Sequence, residues 1–477
     1  MTANLTEDSS PAPGSAIRVL KFGGTSMGGG ERILESARLV LAAGGSPVVV
    51  VSAMSGVTNQ LEALRIGQYA PIEELERRHL EAARTILGEG PGRDGLERAI
   101  RARLHTVREG LADREGLAGK DGLEAEQGLA VDPVSDEIRS AGEDLSVLLM
   151  TAALSRLGHR ARVVDARSIV RTDDRVGGAV PDDDATVELS RHRLLPLVDE
   201  GVTPVIQGFV GASADGRTTT LGRGGSDFTA AIIGAALGAP EVTIWTDVDG
   251  IYSADPGQIP AARILPELGY EEAVELAYFG ARVIHPAAAK HAVGRKVALR
   301  IRNSFHPERP GTLIRIDRRG TPGVAALAFK PRVGLLTVRS RPMFMAYGFL
   351  ARVFEVLTRN RVPVDLVATS HTSTSLTVDR DAPLDRVLSE LDAFAEVELQ
   401  TGMATVSAIG AGLLRIPGVT GEVFRALDDL PVHLISQATD TSLSFVVDEE
   451  RASEVIRRLH AALIESRPPN PSPYHDP

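Results

Sequence analysis

Ile17-Arg18-Val19-Leu20-Lys21-Phe22-Gly23-Gly24-Thr25-Ser26 reads as a short apolar strand that runs straight into a glycine-rich turn. Beyond it, Ile33, Ala37 and Leu41 recur at helical spacing, and Val48 to Val51 is an unbroken apolar run. A Val-rich strand without polar alternation is one buried on both faces, as in a parallel sheet covered by helices. The same rhythm predicts strands at 161–164, 202–206, 241–246 and 297–301. It predicts helices over 60–115, broken by the stretch from Gly88 to Gly95, and over 134–157, 185–199, 227–238 and 271–279. The fold class that follows is α/β, a sandwich around a mainly parallel sheet with one mainly helical insertion.

The sequence of 477 residues has length for about three compact units. Its Lys+Arg total of 52 against an Asp+Glu total of 63 gives a net charge of -11, which argues against nonspecific binding to nucleic acid. An anionic substrate must therefore meet locally placed positive charge. With no Cys there is no disulfide framework, thiolate metal site or cysteine nucleophile, which suits a cytoplasmic setting. Residues 1–16 read as a disordered tail rather than a signal peptide, and 467–477 as a second tail. No apolar run approaches the ~18 residues of a membrane span.

After about residue 318 the units shorten and an internal repeat appears. Pro363-Val364-Asp365-Leu366-Val367 matches Pro431-Val432-His433-Leu434-Ile435. Each copy follows a helical segment (348–360, 420–428) and precedes a Ser-Leu-led strand ending in Asp (Ser375 to Asp379, Ser442 to Asp448). Both copies read as ferredoxin-like βαββαβ modules, a fold that does not by itself fix a function.

Five stretches carry chemistry, each where a predicted strand ends, the place at which open α/β sheets bind ligands. In the first, Gly23 and Gly24 let backbone amides approach a phosphate, Thr25 and Ser26 add hydroxyls, and Lys21 supplies a point charge. The second, Ser52-Ala53-Met54-Ser55-Gly56-Val57-Thr58-Asn59, clusters hydroxyls around one glycine, and reads equally as a turn with a helix N-cap. The third, Thr218 to Thr229, places Arg223 among glycines with little packing to justify it, and its planar fork suits a carboxylate held bidentately. Asp227 opens the helix that follows. The fourth, Trp245-Thr246-Asp247-Val248-Asp249-Gly250-Ile251-Tyr252, ends a strand with acids and a buried-looking aromatic that could floor a nucleotide base and ribose. The fifth, Phe279 to Pro286, puts Arg282 where it could meet phosphates.

Taken in this order, these motifs resemble the amino-acid kinase family and, within it, the aspartate kinases, over Ile17 to about Glu465. The resemblance implies a three-layer catalytic domain over 17–318. It also implies a regulatory region over 319–466 holding paired ACT modules at about 331–402 and 403–466, the second borrowing its first strand from Val324 to Phe329. It implies ATP, Mg²⁺ and L-aspartate as reactants, with Lys21 on the transferred phosphoryl group and Asp227 organising that lysine. Arg223 would hold the substrate α-carboxylate and Glu143 its ammonium, with Ser52, Thr58 and Ser226 completing the pocket. Lys21, Gly23, Gly24, Thr25, Ser26, Thr246, Asp247, Tyr252 and Arg282 would line the ATP site.

Gly257 stands where members of that family often carry a basic residue, and Arg282 where many carry Lys. Met343, Gly348, Phe349, Leu350, Asp365 and Ser370 resemble an effector site of the lysine-sensitive type, with Asp365 meeting an ammonium and paired modules joining subunits into a homodimer or larger assembly. Acetylglutamate kinase, glutamate 5-kinase, uridylate kinase and a non-catalytic amino-acid sensor are the rival readings.

Overall fold

The computed structural model describes residues 16–67, 72–118, 134–279, 297–315, 322–340, 347–437 and 439–466. By internal contacts the chain divides into two units, Met1–Gly250 with Val283–Ile316, and Ile251–Arg282 with Asp317–Pro477. The segment after Gly250 thus groups with the C-terminal unit, although the sequence suggests one break near 318. The cause is packing: Ala254 and Ile259 share a buried cluster with Leu327, Val406, Phe445 and Leu459.

The first unit contains β1 (Ile17–Phe22), α1 (Gly30–Ala42), β2 (Ser46–Val51), α2 (Val57–Arg65), α3 (Ile72–Leu87), α4 (Pro91–Ala118) and α5 (Val134–Arg156). It continues with β3 (Ala161–Val164), α6 (Asp183–Asp199), β4 (Thr203–Gln207), β5 (Val210–Ala212), β6 (Thr218–Thr220), α7 (Gly225–Leu237) and β7 (Glu241–Thr246). The second unit then contributes β8 (Glu267–Gly269) and α8 (Tyr270–Tyr278), before β9 (Ala298–Asn303) and β10 (Thr312–Arg315) complete the first. Strands of the first unit lie in the order β3-β4-β2-β1-β7-β9-β10, parallel except for β10. All six residues of β2 are buried, as an uninterrupted Val run requires when helices cover both faces.

Side-chain alternation assigns the two faces of β1. Leu20 and Phe22 join a cluster with Ile33 of α1, Leu61 of α2 and Ile138, Ala141 and Leu145 of α5. Lys21 points the other way, toward α7, whose first turn carries Asp227. Because β1 lies between β2 and β7, the ends of these three strands open side by side at the carboxyl edge of the sheet, where such folds place ligands.

The second unit is built on a sheet of order β12-β13-β11-β14-β16-β15. Its strands are β11 (Gly323–Ser340), β12 (Val364–Thr369), β13 (Ser373–Asp379), β14 (Ala395–Ala411), β15 (Leu434–Ser436) and β16 (Ser442–Asp448). Helices α9 (Phe349–Arg359), α10 (Leu384–Asp392), α11 (Val419–Leu427) and α12 (Ala452–His460) complete two βαββαβ-like modules. Val324 and Phe329 pair with Gly410 and Val406 of β14, so this segment enters the second module. It occupies the place of a fourth strand rather than the expected first. The first place is taken by the second half of β14, whose 17 residues are long enough to close one module and open the next. Inside this unit Ser253 Oγ meets His460 Nε2 at 3.0 Å and His460 Nδ1 meets Glu465 at 2.7 Å, tying the 251–282 segment to the last helix. Among the described residues, no helix is long and apolar enough to cross a membrane.

Phe445 is completely buried in the second module. Phe445→Ala should cost about 3–5 kcal/mol in chemical denaturation of the full chain. A loss under about 1 kcal/mol would mean that this core collapses around the missing ring.

Candidate active site

The glycine-rich turn after β1 is pinned on both sides. The Gly23 amide donates to the Trp245 carbonyl at 3.0 Å, and the Ser55 amide donates to the Gly24 carbonyl at 3.0 Å. Lys21 Nζ lies 2.6 Å from Asp227 Oδ1, both side chains being nearly buried. The contact is an ion pair rather than an aligned hydrogen bond, since the same oxygen has no hydrogen-bond partner. Asp227 also sits in the first turn of α7, where a negative charge is favourable to the helix.

Glu143 enters from α5 and is almost completely buried. Its approach depends on Gly142, because a Cβ there would come within 2.6 Å of the Ala53 side chain. With no side chain at 142, α5 settles against the loop after β2 and the Ala53 amide donates to Glu143 Oε1 at 3.0 Å. The other carboxylate oxygen, Oε2, is buried without a partner among the described residues. Burial pushes the Glu143 carboxyl up to about 8, against the Ala53 amide and the Lys21 charge, which both pull it down. The next residue behaves oppositely. Burial works to raise Asp144, but Arg167 and Arg103 outweigh it and hold its carboxyl below the ordinary value. Arg167 contacts both Asp144 oxygens, at 2.9 and 3.0 Å, and Gln207 adds a third donor at 3.0 Å.

Arg223 is exposed in the loop before α7 and has no hydrogen-bond or ion-pair partner among the described residues. Ser226 is buried in the first turn of α7, Ser52 is half-buried at the end of β2, and Thr58 is exposed on the first turn of α2. Thr25 is half-buried, Thr246 donates to Asp247 at 3.1 Å, and Asp247 is exposed.

Several expectations change. Ser26 is not a free phosphate donor: it is fully buried, and its hydroxyl bonds Ser304 Oγ at 2.8 Å. Trp245 is a core residue stacked on Phe22 at 6.3 Å. Tyr252 belongs to the second unit, where it bridges Ile264. Asp365 already has partners. Lys330 forms an ion pair with it and the Tyr278 hydroxyl donates to it, so its charge is already met inside the second unit. Gly348 starts α9 in a left-handed conformation, with Phe349 and the more exposed Leu350 next, and Ser370 bonds Ser373. Arg282 and Met343 lie outside the described residues. Sequence reasoning missed Asp136 and Asp144, although acids at 136–137 and 143–144 recur at a helical spacing that stacks them on one face.

The family model for the amino acid kinase family matches residues 16–303, and one for the ACT domain matches 406–463. Lysine-sensitive aspartokinase 3 of Escherichia coli is 39% identical over 94% of this chain and 100% of its own length. This chain belongs to the amino acid kinase family, among the aspartokinases. A chloroplastic aspartokinase 2 of Arabidopsis thaliana is 34% identical over 97% of this chain and 87% of its own. Two crystal structures of the E. coli aspartokinase III, one with aspartate and ADP and one with lysine and aspartate, match with TM-scores of 0.79 and 0.78. Each is 37% identical, over 94% of this chain and 99% of the other.

The raised Glu143 carboxyl gives a signed pH effect. Between about 4.5 and about 8 the folded chain holds a proton that the unfolded chain has lost, so stability falls as pH rises through that window, by about 1.4 kcal/mol per unit at most. Below the window both states are protonated and the group contributes no slope. Glu143→Gln should flatten the decline in melting temperature between pH 5 and 8 relative to the parent chain. Superimposable profiles would show that Glu143 is ionised in the folded protein.

Proposed function

We propose that this chain is an aspartate kinase, converting ATP and L-aspartate to ADP and 4-phospho-L-aspartate. The observation that carries the reading is the unpartnered oxygen of Glu143, buried near the Lys21 charge, in a chain that also presents an unpaired Arg223. A buried carboxylate needs a cation and a free guanidinium needs an anion. An amino acid brings both, whereas an acetylated amino acid has no ammonium for Glu143.

One oxygen of the substrate side-chain carboxylate forms a bond to the γ-phosphorus while the bond to the β,γ-bridging oxygen breaks, and ADP leaves. No base is needed, because a carboxyl group with a pKa of about 3.9 is already ionised at neutral pH. Lys21 acts on the charge of the transferred phosphoryl group, and Asp227 holds Lys21 in place. Amides of the turn at Gly23, Gly24 and Thr25 approach the phosphates, with Thr246 and Asp247 beside them, while Ser52, Thr58 and Ser226 complete the aspartate pocket. Among the described residues no group of three or more His, Asp or Glu could cage a metal. Mg²⁺ would be carried on the ATP phosphates, with exposed Asp247 beside them, and there it would neutralise phosphate charge.

We further propose that lysine inhibits the enzyme through the first module, as its similarity to a lysine-sensitive relative supports. The effector ammonium would have to displace Lys330 from Asp365. Exposed apolar side chains on both modules, Leu350 and Phe354 of α9 and Phe424 of α11, support a homodimer through this region. The cytoplasm is the proposed setting.

Purified protein with ATP, Mg²⁺, L-aspartate and hydroxylamine should yield an aspartyl hydroxamate, with little product from glutamate, acetylglutamate or UMP. No hydroxamate would overturn the proposal. Lys21→Ala should lower kcat about 10²- to 10³-fold, and near-normal kcat would reassign the turn as structural. Lysine should inhibit the parent chain and not Asp365→Ala; equal inhibition of both would remove Asp365 from the effector site.

A further inference from the structure

Asp136, near the start of α5, is a completely buried carboxylate with no part in the chemistry proposed above. It accepts hydrogen bonds from the Thr220 hydroxyl at 2.6 Å, the Thr220 amide at 3.2 Å and Arg139 Nη1 at 3.1 Å. The Gly177 amide lies 3.0 Å from each of its oxygens. These donors belong to separate parts of the chain. Thr220 ends β6 and leads directly through Leu221 and Gly222 to Arg223. Gly177 belongs to a turn whose Ala179 amide donates to the Thr220 carbonyl at 2.9 Å.

The parts of this arrangement lie close together. Gly177 has φ 75°, and a Cβ there would meet Arg139 Nη1 at 2.4 Å. The Gly177 carbonyl is 3.4 Å from where a Cβ on Gly222 would sit. A stack therefore runs from the Asp136 carboxylate through the 177–179 turn to the residue beside Arg223. On the same helix, seven residues on and so on the same face, stands Glu143, about 10 Å farther along the axis.

We propose that Asp136 is a positioning residue that sets the spacing between Glu143 and the Arg223 loop. This rests on the reading that those two side chains hold the ammonium and α-carboxylate of the substrate. An amino acid presents its two charged ends at a fixed separation, so a pocket assembled from a helix and a distant loop must be registered closely, and a misplacement near 1 Å can cost about 10²-fold. A carboxylate that takes donors from the loop, from the turn behind it and from its own helix supplies that register.

The test is steady-state kinetics on Asp136→Asn and, from the other side of the contact, Thr220→Val. Asp136→Asn keeps the shape but turns an amide NH₂ toward a donor. Each variant should raise the KM for aspartate roughly ten- to hundredfold, while kcat and the KM for ATP stay within about twofold. In the double variant the effects should fall well short of additive, because both remove one contact. Should Asp136→Asn fail to fold, Thr220→Val alone carries the test. An unchanged KM for aspartate, or parallel loss in kcat and both KM values, would overturn the positioning role. Arg223→Lys, measured alongside, separates the two claims. If it raises the KM for aspartate selectively while Asp136→Asn and Thr220→Val do not, only the positioning role falls. If it too leaves that KM unchanged, the substrate reading fails and the positioning role with it.

Discussion

Glu143 accepts one hydrogen bond, from the Ala53 amide, and its second oxygen faces no donor although water cannot reach it. An ionised carboxylate in such a place is costly unless a cation joins it. The rest of the first unit can be understood as the structure needed to hold one carboxylate in that condition. Gly142 removes the side chain that would keep α5 from the Ala53 loop. Asp144, anchored by Arg167, Arg103 and Gln207, fixes the helix just beyond Glu143, and Asp136 fixes it before. Neighbouring acids on one helix thus have opposite states, one neutralised by protein cations and one left for a ligand.

The parallel sheet supplies the other half of the site. Alternation along β1 sends Leu20 and Phe22 into the α5 side of the core and Lys21 to the α7 side, where Asp227 meets it. One strand end therefore serves both layers. The phosphoryl-handling charge comes from one face, the amino-acid-reading carboxylate from the other, and the turn at Gly23 and Gly24 lies between them.

What the sequence disclosed was set by range. Val48 to Val51 announced a strand buried on both faces, and the glycine-flanked Arg223 announced a free guanidinium, because both signals are local. The short hairpin β5–β6 went unread, since three-residue strands carry too little pattern. The segment Val324 to Phe329 enters the second module as its fourth strand rather than its first, because β11 and β14 each serve both modules. Ser26 looked like a phosphate donor, yet its partner Ser304 is 278 residues away. Asp365 looked free for an effector, yet Lys330 and Tyr278 reach it from elsewhere in the fold. The hydroxyls and carboxylates whose surroundings were hidden are those whose partners are distant in sequence.

If Glu143 is protonated in the free enzyme and ionised opposite a substrate ammonium, then binding must release a proton. Calorimetric titration of L-aspartate into the full chain at pH 7, in two buffers of different ionisation enthalpy, counts that proton directly. With a carboxyl raised to about 8, release close to one proton per aspartate bound is expected. Binding with no proton exchanged would contradict the central claim, because it would mean that Glu143 is already charged before the substrate arrives or that the ammonium binds elsewhere.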